Sequence, residues 1–155
     1  MLSTRLVRMI EDHAEQITHS LLTDLQSNPR TPTYNGLSRH ELHDRIYEVY
    51  RNLGRWLTHE SAEAVETAYT ELGKIRFAED VPLSEVVYAL ILTKSHLRDY
   101  IRSSALFDSA VELYQEKELQ ELMARFFDQA IYFTVQAYMR EAARWFEKFA
   151  ETRTH

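Results

Sequence analysis

Val81-Pro82-Leu83-Ser84-Glu85-Val86-Val87-Tyr88-Ala89-Leu90-Ile91-Leu92, continued by Thr93-Lys94-Ser95-His96-Leu97-Arg98-Asp99-Tyr100-Ile101, is the stretch on which the fold turns. Its first half is apolar on nearly every side, as a helix must be when other helices surround it. Pro82 suits a first helical turn, where its missing N–H has no intrahelical partner and its fixed φ already fits. Ser84 and Glu85 then set short polar and acidic groups beside the free amides and the positive end of the helix dipole. Beyond Leu92 the character changes. Leu97 and Ile101 continue the stripe of Leu83, Val86, Val87 and Leu90, while Lys94, Ser95, Arg98, Asp99 and Arg102 turn outward. The segment reads as the central helix of an all-α domain, entering the core and leaving it again.

The rest of the composition agrees. Only 3 Gly and 3 Pro in 155 residues argue for long uninterrupted helices. The length suits one domain, residues 1–155, able to bury its own core. The absence of Cys removes disulfides, thiolate metal sites and cysteine nucleophiles, and fits a reducing compartment. A net charge of -6 with scattered Lys and Arg repels nucleic acid and anionic lipid. No apolar run has the length of a membrane span, and Arg5, Arg8, Glu11 and Asp12 stand where a signal peptide would be apolar. The expected location is the cytoplasm, with neither nucleic acid nor membrane as a partner.

Upstream of the central helix, Ser3 to about Ser27 reads as one helix, because Leu6, Ile10, His13, Ile17, Leu21 and Leu25 recur at spacings of three and four. His13 is thereby expected in the apolar stripe. Residues 29–36, with Pro29, Pro32 and Gly36, are expected to form a flexible loop. Ser38 followed by Glu41 makes a capping box for a second helix that buries Leu42, Ile46, Val49, Leu53 and Trp56. Ser61 is the expected cap of a third helix carrying Ala62, Val65, Tyr69, Leu72 and Ile75, which ends at Ala78-Glu79-Asp80.

Downstream, a break over residues 103–107 leads to Asp108 as cap of a short helix from Ser109 to Glu116. From about Glu118 a long helical pattern runs toward Ala150 with two neighbouring apolar stripes. Leu119, Met123, Phe126, Ala130, Phe133 and Ala137 form one; Phe127, Ile131, Val135, Tyr138, Ala142, Trp145 and Phe149 form the other. One apolar arc suffices for a surface helix, so two partners are expected. Past Tyr138 the first stripe turns charged at Glu141, Arg144 and Lys148, making residues 139–150 an extension that leaves the body.

The central run resembles the hallmark of the RsbRD N-terminal family, the N-terminal sensory domain of RsbR-type stressosome co-antagonists. Further likeness lies in residues 10–22, in Leu37-Ser38-Arg39-His40-Glu41-Leu42, in residues 49–57, in Glu112-Leu113-Tyr114-Gln115 and in residues 125–132. The resemblance implies an all-α signal-input module of a stress-response pathway, usually fused to an output domain. The sequence ends at His155 and leaves the effector open. Because these relatives resemble globins that have lost the haem, the expected fold is a single-domain bundle of about five to six helices, globin-like, with a long C-terminal helix.

For the C-terminal extension two readings compete. In one it folds back on the first helix of the same chain. In the other Phe127, Ile131, Val135, Tyr138, Ala142, Trp145 and Phe149 form a dimer seam or a shaft toward an output domain. The family's attachment of its output domain at this end favours the homodimer.

Catalytic signatures are missing: no GxSxG elbow, no phosphate-cradling glycine loop and no HExxH. An enzyme is not expected. Among the 7 His, His40 and His43 share the start of a helix with Glu41, but a divalent metal needs three or four converging ligands, so no metal site is assigned. His59 and His155 carry little information. His96 follows Tyr88 and Leu92 down the flank of the central helix, with Tyr100 one turn on. These four and His13 are the candidate ligand site. Hydrogen bonds to a tyrosine or a carbonyl would account for both imidazoles without any ligand, whereas haem iron on His96 is the globin alternative.

The expectation is therefore a non-enzymatic regulatory domain without a cofactor. It would bind a small apolar ligand or the protein partners of a signalling complex and repack its helices. A haem-based gas or redox sensor and a scaffold of a larger signalling assembly are the alternatives.

Overall fold

A computed structural model of the chain describes residues 4–58, 62–104 and 110–154. Seven α-helices and one 3-10 turn occur among them: α1 Thr4–Asp12, α2 Ala14–Leu25, the turn Pro32–Gly36, α3 Arg39–Arg51, α4 Leu53–Thr58, α5 Ala62–Ala78, α6 Leu83–Ser104 and α7 Ala110–Thr154. The expected caps Ser61 and Asp108 lie outside the described residues. The all-α class, the central helix and the long last helix are as read from the sequence; the helix count is higher because two expected helices are broken.

The first break is at His13. Its N–H reaches the carbonyls of both Met9 and Ile10, at 3.2 and 3.1 Å, and its ring Nδ1 lies 2.8 Å from the Met9 carbonyl oxygen. That oxygen only accepts, so Nδ1 carries the proton. The expectation of one helix with His13 in the stripe is thus corrected: His13 is exposed, and Ala14 takes the buried place between Ile10 and Ile17. The second break, at Asn52, turns α3 into α4. The Asn52 side chain donates to the Glu48 carbonyl at 3.0 Å, and Trp56 Nε1 reaches back to the Glu48 carboxylate at 2.9 Å. The short helix expected over 109–116 is not separate, because the described part of that segment is the start of α7.

Residues 29–36, expected to be a flexible loop, are docked. Tyr34 is buried, Thr31 Oγ1 donates to the Leu25 carbonyl at 2.8 Å, and Thr33 gives both its N–H and its hydroxyl to the Glu85 carboxylate, at 2.8 and 2.7 Å. A buried carboxylate at the start of α6 has to be paired, and this turn pairs it. Ser38 caps α3 as expected, accepting from the Glu41 N–H at 3.3 Å, but the Glu41 carboxylate turns to Arg45 and Arg76 instead of closing the box.

Packing places α2 between α3 and α6, and α7 between α6 and α5. The two stripes of α7 thus find the two partners expected of them. Gly73 of α5 lies against the backbone of Thr134 and Tyr138 and the Cβ of Ala137, a close approach only glycine permits. Trp56, Tyr69, Phe126 and Phe127 join α4, α5 and α7 through ring contacts of 5.2–6.5 Å. The ring of helices closes from α5 back to α3 through side chains.

From Ala143 to Glu151 every residue of α7 is exposed. Trp145 and Phe149 stack 5.4 Å apart with 52% and 46% of their surfaces open, and Phe146 is more open still. The extension therefore does not fold back on the first helix.

Candidate functional site

The residues singled out on the flank of α6 do not converge. His96 and Tyr100 line an open groove with Gln16, Ile17 and Ser20 of α2. His13 sits against Tyr100, with ring centres 5.9 Å apart. Leu92 is buried in the core, and Tyr88 lies two turns away beneath the Arg30 guanidinium, 5.3 Å from its ring centre. His96 itself is engaged: Nε2 is 2.7 Å from the Asp24 carboxylate, and Nδ1 is 3.4 Å from the Ser20 hydroxyl. Burial would raise the Asp24 carboxyl, but hydrogen bonds from His96 and Asn28 outweigh it and hold Asp24 below its ordinary value. The imidazole is a clasp between α2 and α6, and ligating a metal would require breaking it.

A second site escaped the sequence reading. Inside the ring of helices is a cavity of about 70 Å³, walled mainly by Leu25, Leu42, Ile46, Val49, Leu72, Val86, Ala89 and Leu90. Its polar side holds Tyr34, Arg45, Arg76 and Thr93. Arg76 is only 2% exposed. Its Nη1 is 2.6 Å from Glu79, both terminal nitrogens lie 3.4 Å from Glu41, and the guanidinium stands 5.7 Å from the centre of the Tyr34 ring. Burial opposes this charge, yet Tyr34, Glu79 and Glu41 outweigh it and hold the pKa of Arg76 above the ordinary arginine value. Burial likewise pushes the Tyr34 phenol up to about 12. Arg76 Nε is buried without a hydrogen-bond partner.

One signal for Arg76 was present in the sequence: with Tyr69 and Gly73 it follows the four-then-three spacing of a buried stripe. Assigning Ile75 to that stripe hid it, and Ile75 is only half-buried.

Both sites lie within one region of detectable kinship. The family model described as RsbT co-antagonist protein rsbRD N-terminal domain matches residues 11–153. The chain belongs to this family. Neither the curated proteins nor the solved structures compared with it gave a match. As an rsbRD N-terminal domain it carries the clasp, the cavity and nearly all of α7 inside the matched span. The cavity does not fit haem: no histidine lines it, and a porphyrin far exceeds its volume. Among the described residues no group of three or more His, Asp or Glu is placed to hold a metal ion, and no helix is long and apolar enough to cross a membrane. The His40 and His43 pair binds carboxylates: His40 is 3.3 Å from Asp44, and His43 is 2.7 Å from Glu15 and 3.2 Å from Asp44.

Proposed function

We propose that this rsbRD N-terminal domain is a non-enzymatic regulatory module of a cytoplasmic stress-response assembly. It binds a small ligand or a protein partner in its helical body and passes the change along α7. The observation that carries this reading is the continuity of α7. One 45-residue helix holds Met123, Phe126 and Phe127 in the core and Trp145, Phe146 and Phe149 in solvent. Repacking at its buried half must therefore move its exposed half.

The occupant proposed for the exposed end is a second copy of the chain. Ala142, Trp145 and Phe149 recur at helical spacing, and Arg144 and Lys148 alternate with Glu141, Glu147 and Glu151, so two such helices complement each other. Phe127 is fully buried and contributes from within; Ile131, Val135, Tyr138 and Ala142 are half-buried and bridge core to seam. Sedimentation of the full chain tests this. A dimer that dissociates on the double substitution Trp145→Glu and Phe149→Glu is expected, with the helical content of the body kept. A wild-type monomer at tens of micromolar overturns the seam.

A further inference from the structure

The cavity asks for a ligand of particular chemistry. Its aliphatic walls come from α2, α3, α5 and α6, and a dry aliphatic cavity needs no occupant. This one is not purely aliphatic. Arg76 lines it with Nε buried and unpartnered, whereas its terminal nitrogens reach Glu79 and Glu41 and its guanidinium lies beside the Tyr34 ring. A buried N–H left without an acceptor is costly, by about 1–3 kcal/mol. Thr93 offers no competing donor, because its hydroxyl donates to the Ala89 carbonyl at 2.7 Å. The site thus presents a buried, unpartnered arginine N–H in a largely apolar chamber that Tyr34, Tyr69 and Arg45 also line.

Charge decides between a neutral and an anionic acceptor. Arg45 and Arg76 face Glu41 and Glu79, and the buried Glu85 carboxylate is close by on the first turn of α6. Two cations against three carboxylates leave no surplus positive charge for another anion, and burying one more would be penalised. The volume, about 70 Å³, compares with the ~15 Å³ that a single water needs on the same measure, giving room for roughly four to six non-hydrogen atoms. Arg45, Val49, Tyr69 and Leu72 also line an open groove on the outer side, so the way in lies between α3 and α5. Those helices meet across it mainly through side chains, chiefly Arg76 and Glu41.

We infer that the cavity is the binding site for a small neutral carbonyl compound, such as a short-chain ketone, whose oxygen accepts from Arg76 Nε while its alkyl part lies against Leu42, Val49, Leu72 and Leu90. This deepens the proposed regulatory reading and rests on it for its purpose. The two fail separately, since the test below reads the cavity and sedimentation reads α7.

The experiment titrates 2-butanone into the ¹⁵N-labelled 155-residue chain and follows the arginine Nε–H resonances. The expected result is a saturable shift of the Arg76 signal at millimolar concentration, with sodium butyrate at least tenfold weaker. Arg76→Leu identifies the signal but disturbs the ion pairs. Ala89→Leu therefore serves as the second variant, filling the chamber without touching a charge, and is expected to weaken binding at least tenfold. A linear, non-saturating response, butyrate binding as well as butanone, or undiminished binding by Ala89→Leu would each overturn the assignment.

Discussion

The Tyr138 hydroxyl donates to the Val81 carbonyl oxygen at 2.6 Å and ties the middle of α7 to the turn that opens α6. Phe77 packs edge-on against the same tyrosine, with ring centres 5.3 Å apart. This attachment lies shortly before the exposed end of α7, which begins at Ala143. Burial raises the phenol's pKa, and the nearby Asp80 adds to the effect, so the hydroxyl remains a donor throughout the neutral range. Tyr138→Phe keeps the ring and removes the bond, with an expected loss of about 1 kcal/mol in urea unfolding. The same variant should speed amide exchange beyond residue 138 more than in α2; equal exchange in both places would show that the bond does not anchor the shaft.

Gly73 sets how closely α5 can lie on α7. A Cβ there meets the Thr134 carbonyl oxygen, the Ala137 Cβ at 2.9 Å and the Tyr138 nitrogen at 3.0 Å, and the two backbone atoms cannot swing aside. Gly73→Ala should therefore destabilise by about 1–3 kcal/mol, although alanine is the better helix former. Thermal unfolding should fall by about 2–4 °C per kcal/mol for a chain of this size. A neutral or raised midpoint would mean that α5 and α7 separate easily.

Asp80 has φ 59, in the left-handed region. It stands just past α5, where its own N–H reaches the Phe77 carbonyl at 3.0 Å and the Val81 N–H reaches Arg76 at 3.0 Å, the paired bonds of a Schellman ending. Glycine occupies this conformation without strain. Asp80→Gly is expected to stabilise by about 0.5–1 kcal/mol, as read from the urea midpoint at unchanged slope. A loss would show that the aspartate side chain does more than tolerate the turn.

Two histidine–carboxylate contacts tie α2 to its neighbours, and they give the domain a pH window. Hydrogen bonds to Glu15 and then Asp44 hold the pKa of His43 above its ordinary value. Its contribution is complete below the unfolded value of about 6.5 and is lost as pH rises through the higher folded value. Asp24 is shifted the other way: burial works against its charge, and the bonds from His96 and Asn28 prevail. Its contribution is complete above the unfolded value of about 3.9 and is lost as pH falls through the lower folded one. Both are complete between about pH 4 and 6.5. Urea unfolding across pH 3–8 should show stability declining on either side of that window. His43→Gln should flatten the alkaline limb and Asp24→Asn the acid limb; limbs unchanged in these variants would assign the decline to other groups.

The central helix was legible because its signal is local: an all-round apolar run bounded by Pro82 and a charged second half is a statement about one helix and its surroundings. The same holds for the family likeness, for the Ser38 cap, and for the two stripes of α7 that call for two partners. The break at His13 was not legible, because Ile10, Ala14 and Ile17 keep a periodicity that a continuous helix would satisfy equally well. The cavity and its arginine were hidden for a different reason. Glu79 pairs with Arg76 locally, but Glu41, thirty-five residues away, and Tyr34 reach it from separate elements, and no window of sequence contains all of them.

Sequence alone thus determined the all-α class, the element at its centre and the kinship of the chain, since each depends on patterns within a few helical turns. Only the tertiary structure decided that His96 is spent on Asp24, that a chamber lined by the unpartnered Arg76 Nε lies inside the ring of helices, and that Trp145 and Phe149 end in solvent. Pairing, enclosure and exposure are relations between segments far apart in the chain, and packing sets them.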